Sequence, residues 1–598
     1  MRIPPSTEAV PRPACATRPL QRVQTSRRAR STRLAQFSRL AQFSRVALFW
    51  RVAQFSRVAL FPGRARFAGL AVGAALAAGL PGCAGPADYV AEADVEVGSL
   101  LADASYATLG DRAARVLQPE PAPPATAADA PSAPAAPADG PPAAEPLHLD
   151  LSAALAIAVT SGRDFLDEKE SLYLQGLGLS LTRYDFGPQL TSTVASLWSD
   201  AKDAPSSSVL GWDLGVTQVL PTGAGLSVFG TLAASHLGGG QDAGADPFFT
   251  SSLNVNLIQP LLRGSGYEVS HEALTQGERD IVYAVRDFER FRESFSIGIA
   301  DEYFDLVSSR QRLLNLEQNG KDAQFDQIKA EALRQVDRNR DEDVFLARRR
   351  AINAETDLLT ARAAYEADVD AFKLRLGLSS GTPVVIADEE PPFVPVALDP
   401  ASAVAVALHN RLDLVTAAER LEDSERSVRI ARDGLRPDLG LAAGYGLANA
   451  KDSVADVFPE SPSAKLGLTL NLPLNRQSER NVYRGSLVAL DRARREYTRL
   501  TDNTERDIKD QLRQLDRVAQ QIELQKQQIE QELRAVAVTE IRYEAGDVDN
   551  RDLLDARQSL VDAQNALIDF KAEHFIARLT LLRDLGLLFI DARGMWTP

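Results

Sequence analysis

The chain has 598 residues, 45% hydrophobic and 25% charged, with 66 basic against 81 acidic side chains and a formal net charge of −15. That balance argues against general nucleic-acid binding, which needs a Lys/Arg surplus to neutralise phosphate. Two cysteines and five scattered histidines exclude a disulfide scaffold and a multi-cysteine zinc site, so no metal and no cofactor is expected.

Charge is unevenly distributed. Residues 1–82 hold 14 Arg, no Lys and one acid, Glu8, a net of 14 − 1 = +13, which leaves −15 − 13 = −28 for the remainder. From Arg33 to Pro62 a six-residue unit recurs (RLAQFS, RLAQFS, RVALFW, RVAQFS, RVALFP). A period of six matches neither a helix face nor a heptad, and it reads as low-complexity sequence. Arg64 and Arg66 then precede an apolar Ala/Gly-rich stretch, Phe67 to Ala78, and the tetrad Leu80-Pro81-Gly82-Cys83. The stretch is shorter than the ~20 residues a spanning helix needs, so it reads as an export signal. The tetrad resembles a bacterial lipobox, which implies lipidation of Cys83; the alternative is an incidental cysteine. Residues 84–118 contain a possible short helix, and 119–146 form an Ala/Pro tether with too few apolar groups to order itself.

The body of the chain repeats. Residues 147–190 align without a gap on 396–439, pairing Asp150 with Asp399, Asp164 with Asp413, Arg183 with Arg432 and Pro188 with Pro437. A second match pairs Asp343 with Asp552, Ala347 with Ala556 and Gly377 with Gly586. Two copies of one long unit, 147–395 and 396–590, are therefore expected, followed by a tail at 591–598.

Within each copy a short helix and a helix of about 24 residues end at proline, which cannot continue a helix interior. The period then changes to two. Leu439, Leu441, Ala443, Tyr445 and Leu447 alternate with small or polar residues, as do Leu466, Leu468 and Leu470, Leu253, Val255 and Leu257, and Leu210, Trp212, Leu214 and Val216. Such alternation suits barrel strands of ~9–11 residues, with lipid on one side and water on the other; a soluble sandwich alternates similarly. Pro437 and Pro473 bracket a shorter stretch than Pro188 and Pro260, and the surplus contains Leu220-Pro221-Thr222-Gly223, a turn signal. Either the first copy adds a hairpin, giving six strands, or the surplus is a loop at the mouth. Trp198 and Trp212 fit an aromatic belt or strand-face packing equally well.

Long helices follow. Val269–Gln335 and Arg480–Glu544 contain no proline and each predicts about 100 Å of helix at 1.5 Å per residue. In the second, Ile508, Leu515, Ile522, Ile529 and Val536 recur every seven residues, which predicts a narrow coiled-coil seam. Returning helices are expected at 341–377 and 549–586, with tip turns at Gly546 and, in the first copy, Asp337. His271 and Glu272 read as a solvated face, and no nucleophile–base pair is present, so no enzyme is expected.

Residues Ala407 to Leu414 (ALHNRLDL), Ala431-Arg432 through Pro437, Gln259-Pro260-Leu261-Leu262-Arg263-Gly264, and Arg542-Tyr543-Glu544-Ala545-Gly546 leading to Asp552-Leu553-Leu554-Asp555-Ala556 together resemble the TolC-type outer-membrane efflux proteins. The resemblance covers nearly all of 147–590. It implies an α+β membrane protein: a homotrimer whose outer-membrane β-barrel, usually four strands per subunit, continues as a long α-helical periplasmic barrel. The implied function is the passive exit duct of a tripartite efflux system, with a periplasmic adaptor and an inner-membrane transporter as partners. A duct for type I polypeptide secretion uses the same fold, and a structural coiled-coil envelope lipoprotein is the rival from another class. Asp552 and Asp555 match acidic positions at the aperture, where symmetry makes rings of carboxylate; the alternative is that Asp552 caps the helix and Asp555 is solvated. Tyr543 matches a latching position, while Val548 stands where some members place the partner arginine.

Overall fold

The computed structural model describes residues 85–109, 146–201, 204–238, 248–335, 340–451, 458–545, 547–548 and 550–596. The chain divides into two units, Met1–Gly85 and Pro86–Pro598, and every element below lies in the second. Cys83, Asp337 and Gly546 lie outside the described residues, as do the leader and nearly all of the Ala/Pro tether.

Helix α1 (Pro86–Leu109) is longer than the short helix expected, because it has a partner surface: Val97, Leu100 and Ala104 are buried, and Tyr173 donates to Asp94 at 2.6 Å. Strand β1 (Leu147–Leu149) follows, then α2 (Leu151–Ser161) and α3 (Arg163–Phe186). The second half has the same order, α7 (Pro400–Asn410) then α8 (Leu412–Asp433). The paired acids are N-caps: Asp150 accepts from the Ala153 N–H at 2.7 Å and Asp399 from the Ser402 N–H at 2.9 Å.

Helices α4 (Tyr267–Ser270) and α5 (Glu272–Gln335) are separated by His271, where one helix from Val269 was expected. The imidazole is 5% exposed, with Tyr267 and Phe186 rings 4.7 and 4.8 Å away, and Ser270 Oγ lies 2.9 Å from Nδ1. The pair read as solvated is therefore tied down: His271 is packed, and Glu272 accepts from Arg426 at 2.7 Å. At 64 residues α5 spans about 96 Å, and α6 (Asp341–Arg375) returns alongside it before β6 (Val384–Ile386). In the second half α9 (Gln477–Ala545), 69 residues, and α10 (Asn550–Asp584) do the same.

Both returning helices end at a glycine with positive φ, Gly377 at 80° and Gly586 at 67°. The Leu378 N–H donates to Lys373 O at 2.8 Å and Leu587 N–H to Leu582 O at 2.9 Å, so each glycine closes its helix in a left-handed cap. An added Cβ would collide with the Ser161 carbonyl in one case and the Asn410 carbonyl in the other. The two halves thus make the same contact between the end of the returning helix and the end of the short first helix.

The main core lies where β1 and β6 pair in parallel and α1, α2, α3, α5, α6 and α10 meet. Phe165 anchors it, with the Phe288, Phe291 and Phe295 rings 5.9, 6.2 and 5.5 Å away. The seven-residue seam of α9 is deepest at its start: Ile508, Leu515 and Ile522 are buried, and the first two pack on Ala403, Ala407, Leu581 and Leu585. Ile529 and Val536, nearer the tip, are only half-buried.

Six strands form one antiparallel meander: β2 (Gln189–Ala201), β3 (Ala204–Val219), β4 (Gly225–Gly238), β5 (Phe248–Pro260), β7 (Asp438–Lys451) and β8 (Ser461–Asn471), hydrogen-bonded in that order. The surplus of the first half is therefore a hairpin, and the loop alternative is excluded.

Candidate functional site

The sheet has two chemically different faces, and register makes them continuous. Val194 pairs with Trp212, Trp212 with Leu232, Val228 with Val255, Val255 with Tyr445, and Ala443 with Leu466. With side chains alternating along each strand, Leu190, Val194, Trp198, Leu210, Leu214, Val216, Leu253, Leu257, Leu447, Leu468 and Leu470 share that face. They are not covered: Leu190 is 67% exposed, Trp198 69% and Leu466 79%. Trp198 and Trp212 both belong to this apolar face, and Trp212 Nε1 donates to Ser192 Oγ at 3.0 Å. The opposite face presents Thr191, Thr193, Asp213, Ser227, Thr231, Asn254, Asn256, Lys465 and Thr469, interrupted by Leu197, Phe229 and Ile258. An uncovered apolar face backed by a polar one is what a strand wall between lipid and water requires. No described helix is long and apolar enough to cross a membrane.

Where strands meet helices, hydrogen bonds tie the two halves. Leu261 N–H donates to Leu439 O at 2.8 Å, Arg263 N–H to Pro437 O at 3.3 Å, and Gly264 N–H to the buried Asp433 carboxylate at 2.7 Å. Below this junction α5 and α8 share a panel of ion pairs. Arg286 binds both Glu419 oxygens, at 2.7 and 2.9 Å; Arg279 Nε lies 2.5 Å from Asp423; and Arg426 bridges Glu272, Asp423 and Gln276. Tyr283 donates to Asp423 at 2.7 Å, and its hydroxyl pKa is pushed up to about 12, first by burial and then by that hydrogen bond. Of these partners the sequence singled out only Glu272, and read it as solvated. The only signal was the seven-residue spacing of Arg279 and Arg286 against Glu419, Asp423 and Arg426 on one face of α8.

At the far end of the helices, Asp552 and Asp555 are both exposed, three residues apart on the first turns of α10 and hence on one side. Arg551 Nε is 3.7 Å from Asp555, an exposed pair. Between the acids, Leu553 and Leu554 are buried, which orients the acids outward. Tyr543 lies under Lys329, Nζ 5.0 Å from the ring centroid. The structure thus brings Tyr543, Asp552 and Asp555 to one end of the molecule. It also adds residues the sequence did not mark: Arg350 donates to Leu554 O at 2.8 Å, and Arg557 reaches Asp326 at 3.4 Å and Glu540 at 3.3 Å. Asp326 is 6% exposed, and burial raises its carboxyl pKa against the charge of Arg557.

Comparison with known proteins finds similarity in sequence and in fold. Residues 403–587 match the family described as outer membrane efflux protein. Over 180 residues the chain is 27% identical to the pyoverdine export outer membrane protein OpmQ of Pseudomonas aeruginosa, a match covering 30% of this chain and 37% of that relative. In fold it is similar to the outer membrane protein VceC of Vibrio cholerae (16% identity, TM-score 0.54, 73% of this chain and 96% of that chain). It is also similar to the CmeC outer membrane channel of Campylobacter jejuni (15% identity, TM-score 0.55, 73% of this chain and 85% of that chain). The match over 403–587 agrees with the resemblance read from motifs there, and the solved structures share the architecture of long helices joined to an antiparallel sheet.

Proposed function

We propose that the chain is the outer-membrane exit duct of a tripartite efflux system, assembled as a homotrimer and passively conducting small molecules or ions. The observation that carries this is the two-faced sheet. It has open edges at β2 and β8 among the described residues, so in lipid its unpaired backbone groups must find a neighbouring copy. The family match and the channel relatives support the same reading, and the sheet weighs against a purely coiled-coil envelope lipoprotein. A periplasmic adaptor and an inner-membrane transporter are the proposed partners, docking at the helical end.

In this reading residues 1–82 are leader and lipoprotein signal, Cys83 carries lipid, and 83–146 tether it to two efflux repeats, 147–395 and 396–590, before the tail at 591–598. The equivalent N-caps and glycine caps support the duplication. The helical part stands in the periplasm, with Asp337 and Gly546 in its tip turns. Three-fold symmetry turns Asp552 and Asp555 into carboxylate rings that favour cations and repel anions. With Val548 in place of a latching arginine, Tyr543 rests on Lys329, and the Arg350–Leu554 and Arg557–Asp326 contacts hold the two helical hairpins together. The test is the double substitution Asp552→Ala with Asp555→Ala in planar bilayers: conductance rises or cation selectivity falls, whereas unchanged currents contradict the ring assignment.

A further inference from the structure

The first half of the chain supplies four strands of the six-stranded sheet and the second half two, and the extra pair has a particular relation to the helices. The chain crosses between sheet and helix four times: α3 into β2, β5 into α4, α8 into β7, and β8 into α9. Strands β3 and β4 join no helix. Their turn, Leu220–Ala224, returns at the junction itself, closed by Leu220 N–H to Ala224 O at 2.8 Å. It is seated there: Gly266 N–H and Gln259 Nε2 both donate to Thr222 O at 3.1 Å, and Thr222 Oγ1 donates to Gln259 Oε1 at 2.8 Å. Gly223 has φ +85°, and a Cβ there would stand 2.6 Å from Gly264 O, so only glycine allows this approach.

Each copy therefore sets six strands above four helices. Strands ~4.8 Å apart and tilted by ~40° each take about 6 Å of wall, so six span about 38 Å and four would span about 25 Å. Four helices about 10 Å across take about 40 Å. The extra hairpin brings the two girths into agreement. We infer that β3–β4 is a girth-widening insert, which gives a homotrimer an eighteen-stranded wall, wider than a four-strand subunit would build and so open to bulkier solutes. The inference rests on the homotrimeric duct reading. Closure is geometrically available: β2 runs away from the junction and β8 towards it, so β8 of one copy meets β2 of the next antiparallel, as throughout the sheet.

Cryo-electron microscopy of the full chain in nanodiscs counts the strands. Eighteen around the ring is expected; a ring of twelve with β3–β4 lying off the wall overturns the inference. In a second arm, residues 202–247 are replaced by Asn-Gly so that β2 turns directly into β5, and neutral polymers are added from the sheet side during current recording. The largest polymer diameter admitted should fall by about one third; an unchanged cut-off overturns the inference. Strand number is read independently of current, so eighteen strands without conduction would contradict the duct reading alone.

Discussion

Glu293 on α5 illustrates how single residues tune this molecule. Its carboxyl pKa is pushed up to about 8, chiefly by burial and then by the Glu289 charge, against the pull of Arg290 and Arg583. An unfolded glutamate ionises near ~4.3, so between that pH and about 8 the folded chain holds the extra proton and stability falls as pH rises. Glu293→Gln should raise the unfolding free energy at pH 8 by on the order of 1–3 kcal/mol and leave it unchanged near pH 4. Equal gains at both pH values in thermal unfolding would show that burial of the charge is not the cause. Asp413 and Asp584 have the opposite sign. Burial opposes their ionisation, but Arg411 and Arg290 hold the first, and Arg583 with Gln511 the second, below the usual carboxylate range. Their contribution is present above about pH 4 and is lost as pH falls through the depressed values. The glycine caps are equally local. Gly377→Ala and Gly586→Ala should each cost about 1–3 kcal/mol, since an alanine meets both a positive φ and a carbonyl, and chemical denaturation would measure it.

Elements were legible in the sequence to the degree that their signals are periodic. Absence of proline and the seven-residue seam placed α9 within a few residues, and α6 and α10 came from the repeat. Strand alternation gave β7, β8 and the centre of β5, while the surplus between Pro188 and Pro260 left hairpin and loop both open. Register decides it, because β3 and β4 pair from Ser206 with Gly238 to Val219 with Gly225 and continue the apolar face. What sequence could not supply are contacts between segments more than a hundred residues apart, such as Arg286 with Glu419 or Arg557 with Asp326. Charged residues at helical spacing look the same whether they face water or an ion partner. That is why Glu272 was read as solvated and its Arg426 partner was not foreseen, and why His271 was not recognised as a packed ring. At the tip, Arg557→Leu removes the ion-pair partner of the buried Asp326 carboxylate. Hydrogen exchange at the start of α10 and the end of α5 should quicken by an amount worth about 1–3 kcal/mol, with the sheet unaffected; unaltered exchange there would assign the hairpin contact to other residues.

The whole molecule joins a sheet apolar on one side to helices of about 100 Å that are charged over most of their surface. Neither part is complete alone. Among the described residues the sheet has two open edges, and the helices carry exposed apolar residues such as Phe345, Ile352 and Leu359, seven residues apart along α6. In the proposed homotrimer a ring of copies would cover both deficits at once, and the ring of sheets would enclose water. The net charge of −15 conceals an uneven distribution, since residues 1–82 carry +13 and the remainder −28, and the excess acid of the remainder suits the proposed water-filled passage. The measurement closest to the central claim is single-channel current across a planar bilayer holding the purified full chain. Discrete ion-conducting steps, with cations preferred, are expected; protein that inserts with its sheet intact yet passes no current would contradict the assignment as a duct.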